Sequence, residues 1–68
     1  MRYKQPRLVQ FYYTYREDGK TRSTLTNEVM CKQPRSTQAF KDLEAKAKEC
    51  GWIKSYGWNM AESMVVSN

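Results

Sequence analysis

Sixty-eight residues with a formal net charge of +5 and 40% apolar side chains make one small domain, burying roughly 60% of the surface of its unfolded chain. Histidine is absent and cysteine occurs twice, which excludes a four-ligand zinc site and every Ser-His or Cys-His catalytic pair. No run approaches the roughly 20 apolar residues of a membrane span.

Residues 1–6 read as a flexible basic arm, carrying Arg2 and Lys4, since termini are usually mobile. The first ten residues are polar and basic, with no apolar stretch of the kind found in a secretory leader. The chain starts at Met1 and is expected to be a complete short reading frame, of a size common among bacterial and phage accessory proteins. Residues 7–66 form the single domain.

Residues 7–31 contain two aromatic and β-branched runs about Glu17-Asp18-Gly19-Lys20. Such runs suit a half-buried pleated surface, and Asp-Gly between them is a strong hairpin signal. Two registers compete. A two-residue turn at Asp18-Gly19 sets Leu25 across from Tyr12 and leaves each face half apolar. A three-residue loop, with Gly19 left-handed in a bulge, sets Phe11 across from Leu25. The second gathers Val9, Phe11, Tyr13, Tyr15, Leu25 and Val29 on one face. It is the register expected, because register follows the apolar pattern when one face is buried.

Lys32-Gln33-Pro34-Arg35 reads as a linker. Ser36 is a good N-cap for a helix over residues 37–50. Phe40, Leu43, Ala47 and Cys50 make one helical stripe, and Glu44 stands four residues before Lys48, a favourable spacing. Gly51 suits a left-handed C′ position, with Trp52 laid over Ala47. Residues 52–60 read as a third strand, in which Gly57 marks a bulge or a close backbone approach. Residues 63–66 are expected either to add a fourth strand or to fray. The fold class is α+β, ββαβ or ββαββ, with one helix across one face of a small antiparallel sheet.

Charge is unevenly placed. Residues 1–35 carry eight lysines and arginines against three acids, and residues 36–68 carry four of each. Such asymmetry points to a polyanion partner, and a solvated surface that keeps a small protein soluble is the plain alternative. Three groups of residues are candidate sites. The first is the helix start, where Lys32, Arg35 and Ser36 surround free backbone amides with no acid in the first turn. The second is the outer hairpin face, with Tyr12, Arg16 and Arg22 and with Lys20 at the tip, suited to stacking and charge contacts with nucleic acid. Arg7 extends this cationic set. The third is Trp52, Tyr56 and Trp58, expected on one strand face with Lys54 and suited to a protein interface. Each set also has an ordinary structural reading: a capped helix, a packed cross-strand pair, an aromatic core.

No catalytic arrangement is visible, and no cofactor is expected. Cys31 and Cys50 read as small hydrophobic residues of a cytoplasmic protein rather than a disulfide. The function expected is non-catalytic nucleic-acid binding through backbone phosphates. A protein-binding module acting through exposed aromatics is the alternative, and a homodimer paired through a free sheet edge is a third possibility.

Overall fold

A computed structural model describes residues 3–61. Strand β1 spans Arg7–Glu17 and β2 spans Lys20–Cys31; a 3-10 turn at Pro34–Ser36 leads into helix α1, Gln38–Glu49, and β3 spans Ile53–Met60. The sheet is antiparallel in the order β2-β1-β3. Helix α1 crosses one face, so the chain is a small α+β fold. Residues 63–66 lie outside the described residues.

The hairpin register differs from the expected one. Tyr12 faces Leu25, and Phe11 faces Asn27. The turn is the two-residue one: Asp18 and Gly19 have φ of 54° and 77°, and two positive φ values in succession match the right-handed twist of the strands they join. Such a turn would leave the apolar residues of β2 out of step with those of β1. A bulge at Thr26 corrects the mismatch, with its hydroxyl donating to the Phe11 carbonyl at 3.3 Å. Beyond it Val29 pairs with Val9 and Cys31 with Arg7, so Val29 and Cys31 pack inward. Leu25, on the turn side of the bulge, is left 57% exposed. The mismatch expected to be absorbed in the loop is absorbed in the strand.

Strand β3 repeats the device. Thr14 pairs with Ser55 and Tyr15 with Ile53, which leaves Lys54 as the extra residue. Gly57 sits opposite Tyr12 in an even stretch of ladder, and a Cβ there would lie 3.3 Å from the Tyr12 hydroxyl. Of its two expected roles, Gly57 serves the close approach.

The core is Val9, Phe11 and Leu43, with Tyr13, Val29, Phe40, Tyr56 and Trp58 packed against it. Phe40 reaches from the helix to Phe11, Tyr56 and Trp58, with ring centroids 6.2, 5.7 and 5.6 Å away. Tyr3 packs on this cluster as well, and its N–H donates to the Lys32 carbonyl at 2.8 Å.

Both helix ends depart from the expected caps. Thr37 is the N-cap, its hydroxyl accepting from Phe40 N–H at 3.2 Å and donating to the Pro34 carbonyl at 2.7 Å. Ser36 belongs to the preceding 3-10 turn, and its hydroxyl reaches the Gln33 side chain at 3.1 Å. The buried ring of Pro34 starts that turn, so the chain completes one tight turn before the helix proper and the cap falls one residue later. At the C-terminus Cys50 is extended, and Gly51 is not left-handed. Ile53 N–H closes a turn onto the Cys50 carbonyl at 3.1 Å. Trp52 therefore sits before β3 and lies edge-on to Tyr13 and Tyr15, at 5.6 and 5.8 Å.

Candidate nucleic-acid interface

The cations expected to act together divide between the two ends of the hairpin. A strand rises roughly 3.3 Å per residue, so Arg7 and Arg16 are separated by about 30 Å along β1. Lys4, Arg7 and Lys32 belong to the open end of the hairpin, because Arg7 pairs with Cys31 and Tyr3 is bonded to Lys32, while the Arg35 side chain turns away to the ring of Trp58. No acidic residue lies in residues 1–7 or 31–41. An open groove of about 620 Å³ runs across this end, lined by Tyr3, Lys4, Lys32, Gln33, Ser36 and Thr37. It reaches the first turn of α1, which contains no acidic side chain. Helix N-termini favour negative charge through free amides and the helix dipole.

The hairpin tip is a weaker site. Arg16 and Arg22 fall on opposite faces, since Arg16 pairs with Thr21 and Arg22 with Tyr15. The two-residue turn causes this separation, because it shifts β2 by one residue against the expected register and so inverts its faces near the tip. Arg16 donates to the Gly19 carbonyl at 3.0 Å, and Arg22 pairs with Glu17 at 3.3 Å. Arg16, Lys20 and Arg22 are opposed by Glu17 and Asp18, leaving a small net charge. Tyr12 lies on the open face near the middle of the sheet, beside Leu25 and Gly57, and joins neither cluster.

Trp52, Tyr56 and Trp58 also divide. Tyr56 and Trp58 are half-buried on the helix side, whereas Trp52 is 51% exposed beyond the strand. Tyr56 and Trp58 line a second groove, of about 500 Å³, with Arg35, Phe40 and Glu44. The Arg35 guanidinium lies over the Trp58 ring at 5.6 Å, and the Tyr56 hydroxyl donates to Glu44 at 3.3 Å. Glu44 thus turns to β3 instead of forming the expected pair with Lys48. Desolvation raises the Tyr56 pKa above the ordinary phenol value, the Glu44 carboxylate raises it further, and Arg35 opposes the shift.

No family model, curated protein or solved structure matches the chain.

Cys31 and Cys50 are free and half-buried, and burial raises the Cys31 thiol pKa. Among the described residues no helix is long and apolar enough to cross a membrane, and none of their His, Cys, Asp and Glu side chains cluster as three or more around a possible metal. Of the residues lining the first groove, Lys32, Gln33, Ser36 and Thr37 belong to the run expected around the helix start, and the sequence reading missed Tyr3 and Lys4. The positive charge of Lys4 was a visible signal, but the folding of residues 3–6 back along residues 32–37 had none. It also missed Glu44 and Phe40 as neighbours of Tyr56 and Trp58. Their helical spacing fixed a shared face of α1 but not which strand that face meets.

Proposed function

We propose that the protein is a small non-catalytic module that binds nucleic acid through backbone phosphates. The observation that supports this reading is the groove that Lys4 and Lys32 line beside the start of α1, with no acidic side chain among its lining residues or in the first helical turn. Phosphates set the salt dependence and most of the sequence-independent affinity of such complexes. The open end is the principal binding surface, and Arg16, Lys20 and Arg22 form a secondary one about 30 Å away. The free thiols fit a cytoplasmic protein.

Titration of labelled DNA and RNA at two salt concentrations tests this. Binding should weaken steeply with salt, and Lys4→Gln with Lys32→Gln should lower the salt slope by about one unit for each phosphate that the variant no longer neutralises. The fall in affinity should be uniform across sequences. Absence of binding to either polymer at low salt would overturn the reading.

One observation favours the second reading, a protein-binding module. Trp52, set against Tyr13 and Tyr15 on the helix side, is more than half exposed, and exposed aromatics are enriched where proteins meet. That interface would respond little to salt and would lose affinity on Trp52→Ala.

A further inference from the structure

The groove between α1 and β3 differs in chemistry from the cationic groove beside it. Three half-buried aromatic rings wall it: Phe40, Tyr56 and Trp58. Phe40 stands nearly perpendicular to Trp58, at 84°. Its volume of about 500 Å³ falls in the roughly 300–1,000 Å³ range of small-molecule pockets. Two charged groups of opposite sign meet there. Arg35 stacks on Trp58, and Glu44 is held by the Tyr56 hydroxyl.

A phosphate alone has no use for this arrangement, because Glu44 repels it. A nucleobase uses all of it. Aromatic rings and a guanidinium plane offer stacking surfaces to any base. A carboxylate only accepts hydrogen bonds and has about four lone-pair sites, so the Tyr56 bond leaves most of them open. Among the bases, guanine presents two adjacent donors on its Watson–Crick edge, the N1–H and the exocyclic amine. Adenine and cytosine set one amine beside an acceptor, and thymine and uracil set one N–H between two acceptors. Two parallel donors match the two oxygens of Glu44.

We propose that the groove between α1 and β3 receives an unpaired guanine, stacked against its aromatic wall and accepted on its Watson–Crick edge by Glu44, with Arg35 turned to the adjoining phosphate. The inference rests on the nucleic-acid reading above and deepens it: the cationic end holds the strand, and the aromatic groove selects a base. A duplex hides the Watson–Crick edge, so the substrate is a single strand or an unpaired loop.

The test uses short oligothymidylates carrying one central guanine, adenine, cytosine or thymine, titrated at fixed low salt. The guanine strand should bind about tenfold more tightly, in the range of a good bidentate base pairing. Glu44→Gln, which replaces one acceptor oxygen with a donor and removes a charge that repels phosphate, should raise the affinity for all four strands by a similar factor and bring the ratio of guanine to thymine affinity down to about one. Arg35→Gln should weaken all four strands alike. Thermal melts of both variants establish that they fold, so an absent preference is not confused with an unfolded chain. Equal affinity for the four strands would overturn the guanine inference and leave the phosphate reading standing; a groove that serves a protein partner would give this result. A guanine preference that survives in Glu44→Gln would also overturn the assignment. If no strand binds at low salt, both readings fall.

Discussion

Both faces of the sheet carry apolar residues, many more of them on the helix side, and use them differently. On the helix side Val9 and Phe11 are fully buried, and Tyr13, Val29, Tyr56 and Trp58 close around Leu43. On the open side Leu8 pairs with Met30 and Tyr12 with Leu25, yet Leu25 and Met30 remain more than half exposed. The difference arises at one backbone irregularity. The Thr26 bulge brings Val29 and Cys31, beyond it, onto the helix side with Glu28 and Met30 alternating outward, and leaves Leu25, before it, outward. Hydrophobic character alone therefore does not decide burial here; the face on which the register places each residue does, and the bulge sets that face for β2.

The largest expected effect tests this contrast directly. Phe11→Ala should cost about 3–5 kcal/mol, and a domain of this size rarely has more than about 3–5 kcal/mol in its core. The variant should be unfolded by circular dichroism at room temperature. Leu25→Ala, on the exposed face, should change stability by no more than about 0.5 kcal/mol. Equal costs for the two would mean that the faces are not distinguished as described.

Gly19→Ala should come next, at about 1–2 kcal/mol, because an L-residue there must hold a left-handed backbone. Thr37→Ala should cost about 1 kcal/mol by removing the cap. Ser36→Ala should cost less than about 0.5 kcal/mol. Urea midpoints of the pair decide which residue caps α1, and a larger destabilisation at Ser36 would reverse the assignment.

The smallest effect is confined to alkaline pH. The Tyr56 proton is held more tightly in the folded state than in the unfolded one. Its contribution is fully present below the unfolded phenol value of about 10. It disappears as pH rises through the folded value, since the unfolded state then binds fewer protons. Tyr56→Phe should flatten that part of the stability–pH curve, seen as a gap from wild type that changes only above about pH 10.

Much of the fold was legible locally. Asp18-Gly19 announced the turn, and the Phe40, Leu43 and Ala47 spacing announced the helix and its inner stripe. Gly57 was read as either a bulge or a close approach, and it is the Tyr12 side chain that approaches it, while the bulge falls at Lys54. The register was not legible, because a turn and a bulge are alternative ways to absorb the same one-residue mismatch. Hydrophobic pattern alone favours the version that buries Leu25. Local turn chemistry won: Asp-Gly accepts two successive left-handed residues at little cost, and Thr26 has a hydroxyl with which to settle the bulge against Phe11. That single choice also separated Arg16 from Arg22, so the error in register became an error in the candidate site. The Arg35–Trp58 and Glu44–Tyr56 interactions were hidden for another reason. They join elements whose relative placement no local spacing encodes.

The two extra residues, Thr26 and Lys54, fall on β2 and β3, the outer strands among the described residues, while the central β1 stays regular. An edge strand with an unbroken row of unpaired amides and carbonyls is a template for another chain to add itself. Here each row is interrupted. On β2 the interruption leaves runs of six residues before Thr26 and five after it. On β3 the break carries a lysine, whose charge must be desolvated by any incoming strand. An edge-paired dimer is thereby restricted to short runs of ladder. Among the described residues, the exposed apolar side chains of the open face also lack an unbroken sheet edge beside them, the arrangement by which strands resist adding to one another.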